Sequence, residues 1–110
     1  MEKELDQYLE SIRRDYDTYK SLSKIDNEID REIRDRMKKE FFDSVTFEEG
    51  YKYIKVIAGN SVHSFIVKKD DKQFKRGDIL KAASWNAPSR NFSRGNILSG
   101  GYKVSWTGAV

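Results

Sequence analysis

Glycine and proline are confined to one part of this 110-residue chain: all seven glycines and the single proline fall after residue 49. A stretch of that length without a helix breaker can hold long helix, whereas the remainder is punctuated for turns. The apolar positions follow the same division. Leu5, Tyr8, Leu9, Ile12, Tyr16, Tyr19 and Leu22 step mainly by threes and fours, and Ile25, Ile29, Ile33, Met37 and Phe41 continue the series. That spacing is one stripe of an α-helix. Around it the chain is mostly charged, and Glu10–Arg14, Asp30–Arg34, Glu32–Arg36 and Asp35–Lys39 are four apart. Each such pair supports an exposed helix by about 0.2–0.5 kcal/mol. The stretch SLSKID at 21–26 divides the run into two helices, with Ser23 or Asp26 as the second N-cap. One continuous helix is the alternative.

After residue 44 the period changes to two. YKYIKVIA (51–58) sets Tyr51, Tyr53, Lys55 and Ile57 on one face and Lys52, Ile54, Val56 and Ala58 on the other. GNS (59–61) is turn chemistry, and VHSFIVKK (62–69) reads as the returning strand. DILKAASW (78–85) and YKVSWTG (102–108) are further strands, and SVTFEE (44–49) a short one. The expected fold is α+β. A helical arm over 1–43 precedes a small antiparallel sheet or half-barrel over 44–110, and the two form one compact unit. The stripe from Leu5 to Phe41 is long for so small a sheet, so part of it is expected to meet another subunit. Tyr8, Tyr16 and Tyr19 are core or interface residues on this reading, or one of them closes a neighbour's ligand pocket.

Composition narrows the function. The start has no apolar run, so neither a signal peptide nor a membrane span is expected, and there is no cysteine for disulfides or thiolate metal sites. The net charge of +3 hides a division. Residues 1–43 carry ten Lys/Arg against thirteen Asp/Glu, a net of −3, and residues 44–110 carry eleven against five, a net of +6. Beyond Asp78 no acid remains, while Lys81, Arg90, Arg94 and Lys103 do. Such an end attracts an anion, or it offsets the acidic half within the chain or across an oligomer.

Catalytic machinery is poorly supported. His63 is the single histidine and falls inside a strand, the acid pairs Glu48–Glu49 and Asp70–Asp71 point apart or lie in a turn, and no phosphate-loop or dinucleotide fingerprint occurs. No catalytic residue, metal or cofactor is expected. The stretch WNAPSRNFSRGN (85–96) with its flanks offers something else. Trp85, Trp106, Phe65, Phe74 and Phe92 can stack. Lys81, Arg90 and Arg94 can meet phosphate, Asn86, Asn91 and Asn96 suit base edges or ribose hydroxyls, and Arg94-Gly95 presents backbone amides to an anion. The competing reading is an ordered loop whose asparagines satisfy its own backbone.

The block FKRGDILKAASWNAPSRNFSRGNIL followed by YKVSWTGA resembles the C-terminal core of the phage anti-Thoeris sponge family, the first Thoeris anti-defence family. The resemblance covers roughly residues 51–108. It implies a non-enzymatic homo-oligomer built from dimers, assembling further, in the cytoplasm of the bacterial host. Such a protein sequesters cyclic ADP-ribose signals whole at subunit contacts, and some members take cyclic oligonucleotides. Carried onto this chain, it implies Arg94 on the diphosphate, Asn91 and Asn96 on ribose hydroxyls, and Phe65, Phe74 or Trp85 on adenine; Lys81 and Arg90 are candidates on their charge and position alone. Two rival readings remain. One is a single-stranded nucleic-acid binder, which the acidic arm disfavours. The other is a structural or partner-binding phage protein that uses the helical arm.

Overall fold

The computed structural model describes residues 2–21, 28–100 and 102–109. Two helices open it, α1 (Glu2–Ser21) and α2 (Glu28–Ser44). The proposed caps Ser23 and Asp26, with Leu22 and Ile25, lie outside the described residues, as do the side chains of Tyr19 and Ile29. The helices run antiparallel. Arg13 donates to the carbonyls of Phe42 (3.2 Å) and Val45 (2.9 Å), Tyr16 stacks on Phe41 with centroids 4.0 Å apart, and Asp17 pairs with Lys38. A single continuous helix is thereby excluded.

In α1 the expected stripe is the buried face: Leu5, Tyr8, Leu9, Ile12 and Tyr16 are all buried. In α2 Phe41 packs against the core, but Ile33 and Met37 are 49% and 46% exposed. The molecule is drawn out. Its extents are 54 × 25 × 24 Å and its radius of gyration is 15.1 Å, against about 13 Å for a compact chain of this length.

A five-stranded antiparallel sheet follows in sequential order: β1 (Thr46–Glu49), β2 (Tyr53–Ala58), β3 (Ser61–Val67), β4 (Ile79–Ser84) and β5 (Ala87–Pro88). Gly59, at φ +65°, and Asn60 turn the β2–β3 hairpin, a conformation glycine adopts without a Cβ penalty. The period-two reading of β2 holds. Ile54, Val56 and Ala58 are buried and face α1, forming one core with Leu5, Tyr8, Leu9, Ile12, Val45, Ile66, Ile79 and Ile97. The opposite face carries a second, smaller core of Phe65, Val67, Phe74 and Leu80, bordered by Tyr53, Val62 and Ala82.

A bulge lies in β3. Val56 faces Ser64 while Ile57 faces Val62, so His63 is the extra residue. A bulge turns two successive side chains to one side. His63 and Ser64 both point toward α1, where each meets the Tyr8 hydroxyl.

The C-terminal segment departs from expectation. Residues 102–108 do not make one strand but most of a hairpin, β6 (Val104–Ser105) and β7 (Gly108–Ala109), turned at Trp106-Thr107. It is pinned to α1. The Trp106 amide donates to Asp15 (2.8 Å), and the indole meets the Tyr16 and Phe41 rings edge-on at 5.1 and 5.8 Å. Among the described residues no helix is long and apolar enough to cross a membrane.

Candidate ligand-binding site

The stretch 85–96 begins as the Trp85-Asn86 turn between β4 and β5 and then returns along β4. Ser89 donates to the Lys81 carbonyl (2.7 Å), Arg94 donates to the Ile79 carbonyl (2.7 Å), and Ile79 donates to Gly95 (2.8 Å). Between these bonds β4 advances from 81 to 79 while the returning chain advances from 89 to 94. The surplus residues, 90–93, leave the sheet as an excursion.

Three groupings result. At the turn, the Lys55 ammonium lies 5.1 Å from the Trp85 ring centroid, donates to Asn86 Oδ1 (3.1 Å) and stands 4.0 Å from Glu48. It borders a cleft of about 220 Å³ together with Tyr51, Tyr53 and Phe65. At the start of the excursion, Arg90 bonds Asp71 at 2.8 Å and the Tyr53 hydroxyl, with its guanidinium 4.8 Å from the Phe74 ring centroid. Asp71 also accepts the amides of Gln73 and Phe74, and the guanidinium and these amides hold its carboxyl down to about 2. At the end of the excursion, the Arg94 guanidinium lies 4.1 Å from the centroid of Phe92, which is 56% exposed. Among the described residues Lys81, Arg94 and Lys103 meet no carboxylate. Asn91 and Lys81 are exposed.

A family model matches residues 2–108, from the first helix into the C-terminal hairpin. The chain belongs to DUF7717, a family of unknown function. No curated protein and no solved structure matches it significantly.

Several residues expected at the site have other roles in this DUF7717 member. Phe65 and Phe74 are each 3% exposed in the second core, so neither ring offers a face to a base. Asn96 is spent within its own loop. It donates to the Arg76 carbonyl and Asp78 (2.9 Å each) and accepts from the amides of Leu98 (2.8 Å) and Ser99 (3.2 Å). The amides of Arg94 and Gly95 are likewise engaged, by Ile79 and by Ser93 Oγ. Gly95 serves packing rather than anion approach: a Cβ there would lie 2.7 Å from that of Tyr102. Arg90 is committed to Asp71 and Tyr53, and Trp106 to the helices. Not engaged in this way are Arg94 with Phe92, the exposed Asn91 and Lys81, and Trp85 above Lys55. Lys55, Tyr53 and Asp71 had no sequence signal of their own, because the chain brings them to the loop from β2 and from a turn.

His63 and Ser64 make the other polar cluster. His63 Nε2 lies 2.6 Å from the Ser105 carbonyl, which can only accept, so this nitrogen carries the proton. Nδ1 therefore accepts, from Ser64 Oγ at 2.9 Å, and Ser64 in turn accepts from the Tyr8 hydroxyl at 2.7 Å. Burial pushes the imidazole below its usual range and the Tyr8 phenol above its own. A serine bonded to a histidine has the outline of a nucleophile and base, but Ser64 has 0% exposure and no substrate reaches it. The cluster joins α1, β3 and the C-terminal hairpin. Among the described residues no three His, Asp or Glu side chains gather as metal ligands.

Proposed function

We propose that this protein is a non-catalytic binder that captures an anionic, planar small molecule whole. The observation carrying this reading is Arg94: a cation without a carboxylate partner, spread over the exposed Phe92 ring at the end of a loop that contains no acid. A guanidinium presented this way supplies forked donors to a phosphate, and the neighbouring ring supplies a stacking face. The resemblance of residues 51–108 to the anti-Thoeris sponges names the ligand class as cyclic nucleotide signals of bacterial anti-phage defence, cyclic ADP-ribose isomers first and cyclic oligonucleotides second. On this reading the protein works in the host cytoplasm as a homo-oligomer. Asn91 and Lys81 assist Arg94, and of the stacking candidates Phe65, Phe74 and Trp85 the role falls to Trp85, or else to Phe92.

Capture needs no bond cleavage. It needs affinity above that of the competing receptor, at about 1.4 kcal/mol for each tenfold gain. The test is a thermal-shift panel of cyclic ADP-ribose isomers and cyclic di- and trinucleotides, followed by heat release and mass spectrometry. A bound signal should return intact. Arg94→Ala should lose the shift while keeping the melting temperature of the free protein. Normal binding by Arg94→Ala, or a shift from no member of the panel, overturns the proposal. Affinity for single-stranded oligonucleotides that grows with length and collapses with salt would favour the nucleic-acid reading instead.

A further inference from the structure

The two edges of the sheet differ. β5 is blunted: its pairing covers Ala87–Pro88, proline has no N–H to offer, and the chain then leaves the sheet over 90–93. β1 is open. Thr46–Glu49 are all exposed and pair with β2 on one side, with no proline, lysine or bulge on the other, and the two charges on the strand, Glu48 and Glu49, stand 4.0 and 3.8 Å from Lys55 and Lys68. Phe47 shares the face of Val56, toward α1, and is 44% exposed. It stands between a groove of about 610 Å³, bordered by Leu9 and Val45, and one of about 420 Å³, bordered by Leu5 and Ile54. A sheet with one pairing-competent edge joins like edge to like edge, which closes about a two-fold axis instead of propagating. We infer that β1 pairs antiparallel with β1 of a second copy, about an axis through Phe47.

The register follows from the strand itself. The Gly50 amide bonds the Tyr53 carbonyl at 2.8 Å, and Thr46 faces Ile57 in the same ladder. Hydrogen-bonded pairs alternate along an antiparallel ladder. The amides of Thr46 and Glu48 therefore turn toward β2, and those of Phe47 and Glu49 turn outward. A two-fold axis perpendicular to the sheet keeps each face on its own side, so the axis must pass at a residue. Two such registers overlap most of the strand, one centred on Phe47 and one on Glu48. The second sets Glu48 directly opposite its own copy, and like charges so placed repel. The first sets Phe47 beside Phe47 and Thr46 opposite the second copy's Glu48. It lets the two outward Phe47 amides exchange both their bonds. Each ring then has the other copy's Leu9–Val45 groove beside it.

The chain's lack of cysteine makes the register testable. In the Phe47-centred pair the two residues 47 have Cα atoms about 5.5 Å apart, within disulfide reach. The two residues 49 are four positions out of register, about 13 Å apart and beyond reach. Sedimentation velocity at high micromolar concentration should give twice 12.9 kDa. Mild oxidation should cross-link Phe47→Cys into a covalent dimer and leave Glu49→Cys uncross-linked. Glu49→Pro removes an outward amide without touching the β2 ladder, so its mass should halve while its melting temperature holds. Phe47→Lys is the second blocking variant if Glu49→Pro proves unstable. A monomeric wild type, cross-linking at 49 as fast as at 47, or a dimer that survives both blocking variants overturns the inference. None of these readouts uses a ligand, so a monomer would remove the homo-oligomer from the proposed function and leave ligand capture by Arg94 to its own test.

Discussion

Lowering the pH from 6.5 to 5 should destabilise this protein through His63. His63 is the chain's single histidine, 3% exposed, with Nε2–H held on the Ser105 carbonyl and Nδ1 accepting from Ser64. Burial disfavours the charged imidazolium, so the folded-state pKa lies below that of the unfolded chain. Between those two values the unfolded chain binds the additional proton. The stabilising contribution is complete above the unfolded value of about 6.5 and is lost as pH falls through the folded one. A single proton gives a slope of at most about 1.4 kcal/mol per pH unit, so the loss from pH 6.5 to 5 cannot exceed about 2 kcal/mol. Urea denaturation at half-unit steps between those limits measures it, because free carboxylates titrate below about pH 5. His63→Asn should start less stable and show a flat profile. An undiminished slope in His63→Asn, or stability that rises as pH falls, would refute the neutral, Nε2-protonated assignment.

Two further substitutions separate structural from ligand roles in the loop. Asn96→Ala removes four hydrogen bonds across the 76–99 region and should cost about 2–3 kcal/mol in a denaturant titration, after allowing for their partial exposure. Gly95→Ala meets both a 2.7 Å approach to Tyr102 Cβ and a φ of +136°. It should cost about 2 kcal/mol or more, read as a lower urea midpoint, whereas Arg94→Ala next to it should leave that midpoint unchanged.

The parts of the fold legible in the sequence are those decided locally. The stripe Leu5 to Tyr16 is the buried face of α1, and the alternation through Ile54, Val56 and Ala58 is the inner face of β2. Residues 102–108 alternate just as well and still fold as a hairpin, because alternation over so few residues does not say whether Trp106 continues a strand or turns it. The candidate site was less legible, since side-chain type does not reveal where a side chain is used up. Phe74 was expected to stack on a ligand because it is aromatic and near a basic run. In the fold it closes a second core that no periodicity announces, since the loops 70–76 and 85–91 come together only in three dimensions, through Arg90 on Asp71 and over Phe74 and through Gln73 on the Arg90 carbonyl. Asn96 likewise matched a ribose-binding asparagine in type, but its amide organises its own turn.

The bulge in β3 bears on how this chain tolerates a change of length. Deleting one residue inside a strand ordinarily sends every later side chain to the wrong face. Here Val62 and Phe65 already share a face although they are three apart, with His63 as the surplus residue between Val62 and Ser64. Loss of His63 would return the strand to strict alternation with Val62, Ser64 and Phe65 each still facing its present side. The histidine is therefore dispensable to the sheet as geometry, and what holds it in place is the polar link it makes between Ser64, itself bonded to Tyr8, and Ser105.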